Sequence, residues 1–181
     1  MESTTELTND ETILEKGELP AGNHGDALTS RPGMTAAEVN FAISFTQVIS
    51  VLAKSAPYRE VPLAHIEQFI LPPLLTGQFA VMDAQIKARR VPVAVAFWAY
   101  VSPEVDRRLS ITSEMAVLQP ADWRSGDILW LIDIVGQTQA SGQLMQELKK
   151  RIVAGREVKM RRRDANGQIV VSGVDFDESS Q

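Results

Sequence analysis

The stretch that decides the fold is DWRSGDILWLIDIVGQTQASG, Asp122 to Gly142. Within it, Ile128 to Val135 is the most apolar run of the chain, and it carries one carboxylate, Asp133. Turn-forming residues (Arg124, Ser125, Gly126, Asp127) precede the run. A loop of Gly, Gln, Ser and Thr residues, Gly136 to Gly142, follows it, and a helix-like segment, Gln143 to Val153, comes next. Strand, polar glycine loop and helix in this order commonly build a site for an acyl or phosphate donor. Strict alternation places Asp133 on one face with Leu129, Leu131 and Val135, and puts Ile128, Trp130, Ile132 and Ile134 on the other. Both faces are apolar, so the strand is expected to be central and covered on both sides. A charge there costs free energy unless it has a partner. Backbone N–H groups or an arginine would satisfy it structurally; a catalytic or orienting carboxylate is the alternative.

The rest of the chain gives that strand its setting. Residues 1–33 are Glu, Thr, Asn, Gly and Pro with few large apolar groups and are expected to be disordered. The acidic tail 175–181 is expected to fray. A single domain is expected between them, over 34–174. Thr35 and Glu38 form a capping-box pattern that starts a helix running to about Lys54. Ala56, Pro57 and Pro62 bracket a break that contains Tyr58 and Arg59. A second helix is expected over about Leu63 to Leu75, ended or kinked by Pro72-Pro73. Phe79 to Ile86 and Val93 to Tyr100 read as a hairpin with a basic turn at Lys87, Arg89 and Arg90. Ser102 and Pro103 start a short helix. Glu157 to Arg162 and Gln168 to Val174 flank Asp164-Ala165-Asn166-Gly167, a hairpin signal. The order implies an α+β protein, with one mostly antiparallel sheet and helices packed on it.

Composition excludes several functions. With 181 residues, 44% apolar and 23% charged, the chain can bury a core, and no apolar run approaches the roughly 18 residues of a membrane span. The acidic, polar N-terminus is expected to be neither a signal nor a transit peptide. The absence of Cys removes disulfides, thiolate metal sites and a Cys nucleophile, and fits a cytoplasmic protein. Two histidines, His24 and His65, argue against a His-rich metal site, and a net charge of -5 gives no nucleic-acid signal.

Ser55-Ala-Pro-Tyr58-Arg59, Pro62, Leu71-Pro72 and Gln78-Phe79-Ala80 then line up with a known pattern. It continues through Pro92-Val93-Ala94, Trp98-Ala99, Asp122-Trp123, Ser125-Gly126-Asp127 and the strand with Asp133. In order and spacing these residues resemble the RTX toxin-activating lysine acyltransferases over about Val48 to Asp175. The family's first motif is S-x-x-H-R, followed by a Pro four residues after the His. The resemblance implies a GNAT-like fold and a cytoplasmic enzyme. Such an enzyme moves a fatty acyl group from acyl carrier protein to internal lysines of an RTX-type protoxin, with no cofactor beyond the carrier's thioester. It implies a catalytic His and Asp pair. The Asp carries over as Asp133; the His position holds Tyr58.

Amide formation from a thioester needs a neutral amine, because ammonium has no lone pair, and lysine's reference pKa is about 10.4. Tyrosine, at about 10, is a poor base at neutral pH but a competent donor, either to a leaving thiolate or to an oxyanion. Asp133, if buried among Leu131 and Val135 with its pKa raised, is one candidate base, and His65 is the other. Both Tyr58 and His65 also admit purely structural roles. The loop VGQTQASGQ lacks the Q/R-x-x-G-x-G/A pattern of acetyl-CoA-dependent GNAT enzymes, which suits a carrier-protein thioester. A basic surface for an acidic carrier is available from Lys149, Lys150, Arg151 and Arg156, or from Lys159 with Arg161 to Arg163, although any one of them is more readily a solvated charge. A homodimer is allowed for. Three functions follow: a lysine fatty acyltransferase, a family member that has lost catalysis and only binds carrier or substrate, and an acetyl-CoA-dependent acetyltransferase.

Overall fold

The computed structural model describes residues 33–111, 117–153 and 157–174. The expected disorder before residue 34 and the tail 175–181 lie outside the described residues, Gly33 apart. The fold below is that of the unit Thr35–Gln181.

Helix α1 spans Ala36–Leu52 and starts as its sequence requires. The Thr35 hydroxyl accepts from the Glu38 N–H at 3.3 Å, and the Glu38 carboxylate accepts from the Thr35 N–H at 2.6 Å. A one-turn helix α2, Ala56–Arg59, follows. The expected helix Leu63 to Leu75 is instead a 3-10 turn, Leu63–His65, then α3, Ile66–Phe69, and α4, Leu71–Thr76. Pro72 and Pro73 do not end this segment. They sit in the first turn of α4, where a missing N–H costs nothing because that donor has no intrahelical partner. The interruption falls just before them, at Ile70.

Strands β1 (Phe79–Ile86), β2 (Arg89–Val101), β3 (Ile128–Gly136), β4 (Val158–Arg163) and β5 (Ile169–Val174) form one sheet in that order. Arg89 and Arg90 belong to β2 rather than to the turn, which is reduced to Lys87 and Ala88, with Lys87 at φ 56°. The pair β3–β4 is parallel and the others are antiparallel, so the sheet is mixed and β3 is internal, as its two apolar faces require. Helix α5, Pro103–Ser110, is capped by the Ser102 hydroxyl. The protein is α+β.

Two cores cover the two faces. One packs Val48, Val51 and Leu52 of α1 against Val95, Phe97, Trp130 and Val135. The other packs Ala140, Leu144 and Leu148 against Ala94, Ala96, Leu129 and Leu131. These last helical residues belong to α6, which spans Thr138–Leu148 and runs into a π turn, Lys149–Val153. The expected loop Gly136 to Gly142 is therefore reduced to one residue, Gln137, between β3 and α6. The spacing Ala140, Leu144, Leu148 buries one side of a helix, and that packing overrides the poor helix propensity of Ser141 and Gly142.

Candidate functional site

Strict alternation along β3 fails at one place. Phe97 of β2 pairs with Asp133 and Trp98 pairs with Leu131, so Ile132 is an extra residue, a β-bulge. Before the bulge, Ile128 and Trp130 face the α1 core while Leu129 and Leu131 face α6. After it, Val135 faces the α1 core and Ile134 faces α6. The expectation that Asp133 shares a face with Leu129 and Leu131 is thus corrected. The inserted residue turns Asp133 to the α1 side, together with Ile132 beside it and Val135 beyond.

Tyr58 reaches Asp133 from the opposite wall. Its short helix is held by the Ser55 carbonyl, which accepts from the Tyr58 and Arg59 N–H groups at 3.1 and 3.0 Å. Pro57 fixes the first turn. The ring packs on the α1 core, and the Tyr58 hydroxyl donates to Asp133 Oδ2 at 2.5 Å, a short bond between residues 75 apart in sequence. Burial, then the charge of Asp133, then this hydrogen bond push the Tyr58 pKa far above its ordinary 10.0. Tyr58 therefore stays protonated through the physiological range, and it is no base by itself.

The pair forms part of the wall of a cavity of about 790 Å³. Ile49 and Leu52 of α1, Phe69 of α3, Phe97 of β2, and Trp123 supply its apolar surface. Trp123 is held by Gln78, whose side-chain N–H donates to the Trp123 carbonyl at 2.7 Å. Arg59, His65, Gln68 and Gln119 are its other polar neighbours. His65 is exposed and meets Phe69 edge-on, with ring centroids 5.7 Å apart. It shares the cavity with Tyr58 and Asp133, but among the described residues no hydrogen bond joins it to either. The sequence singled out Tyr58, Asp133 and His65, and the cavity brings all three together. It did not single out the apolar lining, because those residues look like any core residues until the space between them is seen.

The candidate basic surfaces are partly engaged. Lys159 binds both oxygens of Asp106 at 2.9 and 3.0 Å, Arg161 donates to the Ile111 carbonyl, and Arg163 donates to the Gly167 carbonyl. Lys150 and Arg151 lie 3.7 and 3.9 Å from Glu147. Arg156 lies outside the described residues. Among the described residues, no group of His, Asp and Glu side chains is arranged to hold a metal, and no helix is long and apolar enough to cross a membrane.

Comparison with known proteins gives the chain its relatives. The lysine-acyltransferase RtxC of Vibrio cholerae serotype O1 is 24% identical over 127 residues, covering 70% of this chain and 78% of that protein. An uncharacterised protein of Synechocystis is 22% identical over 125 residues, covering 69% of this chain and 82% of its own length. Residues 37–173 match the family described as HlyC, the RTX toxin acyltransferases, and the chain belongs to that family.

Proposed function

We propose that this protein is a cytoplasmic, GNAT-like enzyme that takes a fatty acyl group from acyl carrier protein and places it on internal lysines of an RTX-type protein. Tyr58 and Asp133 are its catalytic pair. The observation that carries this reading is the Tyr58–Asp133 hydrogen bond in the wall of a large apolar cavity.

A hydroxyl has one proton. In Tyr58 that proton is committed to Asp133, so it is not free to stabilise an oxyanion or to meet a leaving thiolate at the outset. What Tyr58 presents to a substrate is a lone pair on oxygen, with a carboxylate behind it. The lysine nitrogen attacks the thioester carbonyl carbon, and the N–C bond forms. As it forms, a proton passes from nitrogen to the Tyr58 oxygen, and the Tyr58 proton passes to Asp133. The C–S bond breaks, the proton returns through Tyr58, and the thiolate leaves as a thiol. The carboxylate is the base, and the tyrosine is the relay that extends its reach. His65, in the same cavity but not bonded to the pair, is the reserve candidate for the base.

The second reading is a family member that binds carrier or substrate without turnover. Tyr58 supports it, because the family's histidine titrates near neutral pH and Tyr58 does not. Incubation with acyl carrier protein bearing a labelled acyl chain and an RTX-repeat protein tests both, with lysines read by mass spectrometry. Acylated lysine is expected. Binding without transfer supports the second reading, and transfer only from acetyl-CoA overturns both.

A further inference from the structure

The cavity beside the pair is larger and more apolar than the chemistry at Tyr58 and Asp133 requires. Its volume of about 790 Å³ lies in the range of ligand sites, roughly 300–1,000 Å³. A methylene takes up about the space of a liquid water, roughly 30 Å³, so a sixteen-carbon chain needs about 480 Å³. Such a chain fits, whereas an acetyl group leaves the cavity almost vacant.

Exposure gives the cavity a direction. Leu63 is 82% exposed and Val61 39%, so these apolar residues line the open side, together with the exposed Arg59 and His65. Phe97 is 3% exposed and Ile70 5%, so they form the floor. One wall belongs to α1, with the half-buried Ile49 deeper and the exposed Ala53, at its C-terminal cap, toward the open side. An exposed leucine at the mouth of an apolar space is poorly explained by packing and well explained by a ligand that slides past it.

We infer that this cavity is the chamber for the acyl chain, that it takes long unbranched chains, and that Ile49 and Ala53 set the longest chain it accepts. This rests on the transferase reading above. The α1 wall is where extra volume takes up cavity space at residues that are not partners in the Tyr58–Asp133 bond. Ile49 is half-buried with its side chain in the cavity, and Ala53 lies at the exposed helix end, where a larger residue meets no backbone constraint (φ −60°, ψ −20°).

The test uses the full chain and S-acyl-N-acetylcysteamine thioesters of two to sixteen carbons. These are neutral, so the charge of Asp133 does not repel them. Trp123 lines the cavity, so tryptophan fluorescence reports occupancy. Affinity is expected to rise about fourfold per added methylene and then level off. Ile49→Trp and Ala53→Phe, each shown folded by its thermal melt, are expected to move the plateau several carbons shorter. An affinity independent of chain length overturns the chamber, as does a plateau that both variants leave in place. If both variants fail to fold, the chain-length series on the native protein decides alone. Because no acyl acceptor is present, chain-length-dependent binding in a protein that never acylates lysine would remove the transferase reading and leave the chamber. Lysine acylation with no chain-length dependence would do the reverse.

Discussion

Phe97 stands across from Asp133, and its neighbour Trp98 stands across from Leu131, so Ile132 has no partner on β2. Were Ile132 taken into regular alternation instead of standing as an extra residue, Asp133 would fall on the α6 face, away from Tyr58. Deleting Ile132 removes the bulge and makes Asp133 the residue after Leu131, which strict alternation keeps on the α1 face across from Phe97. The Tyr58–Asp133 bond, and acyl transfer with it, is therefore expected to survive the deletion. A loss of about a hundredfold or more in a variant with an intact circular dichroism spectrum would show that the bulge itself, and not only the face, sets the pair.

The pair should behave as one unit. Asp133→Asn keeps the shape and removes the charge, and a loss of about 10²-fold or more is expected. Tyr58→Phe removes the relay, with a loss of about 10²–10³-fold. The double variant should lose little beyond the worse single one, because either change alone breaks the same proton path. Multiplied losses in single-turnover kinetics would mean that the two residues act separately.

Tyr58→His places an imidazole, with a reference pKa of about 6.5, where Tyr58 now meets Asp133. An imidazole N–H can donate to the carboxylate, leaving the second ring nitrogen as a base. Transfer should become faster, most clearly above pH 7. An unchanged rate would move the base elsewhere, and His65→Ala would be the variant to compare.

Ionisation of Tyr58 can be watched directly. The chain has two tyrosines, Tyr58 and Tyr100, and absorbance near 295 nm follows their deprotonation. One step is expected far above pH 10, and it should vanish in Tyr58→Phe. The sign for stability follows from the raised pKa. Below pH 10 folded and unfolded chains both hold the proton, and the contribution is fully present. Above pH 10 the unfolded chain releases it and the folded chain does not, so stability is lost as pH rises toward the folded value. The melting temperature of the native protein should fall more steeply above pH 10 than that of Tyr58→Phe.

Asp106 accepts from the Trp130 indole N–H at 2.8 Å and from the Lys159 ammonium, which ties α5 to β3 and β4. Asp106→Ala leaves a part-buried indole N–H and a part-buried ammonium without this acceptor. Urea denaturation should show a loss of about 2–4 kcal/mol. A loss below about 0.5 kcal/mol would mean that the ion pair is solvated and carries little.

Much of this arrangement is legible in the sequence because it depends on local chemistry. The Thr35 and Glu38 cap, the Ser102 cap, the Asp164 to Gly167 turn and the two-faced strand Ile128 to Val135 are each read from a few adjacent residues, and each forms. The joint placement of Tyr58 and Asp133 was legible through family resemblance. Their actual meeting was not legible from alternation, which sends Asp133 the wrong way. A β-bulge leaves no mark in an apolar run, since Ile132 is as apolar as its neighbours. The start of α6 was hidden for a related reason. Glycine, serine and threonine at Thr138 to Gly142 have loop propensities, and the burial of Ala140, Leu144 and Leu148 outweighs them. The cavity was invisible because an absence of side-chain volume has no sequence signature.

Strands β3 and β4 meet at only two register pairs, Trp130 with Lys159 and Leu131 with Met160. In mechanical terms the sheet is two plates joined along a short seam, a three-stranded plate bearing Asp133 and a two-stranded flap, with the Asp106–Lys159 contact as the rivet. A force or a fluctuation that opens the seam can swing the flap without disturbing the register that aims Asp133 at Tyr58. Amide exchange in Val158–Arg163 and Ile169–Val174 should accordingly run ahead of exchange in β2, and removing the rivet should widen that gap while the β2–β3 amides keep their protection.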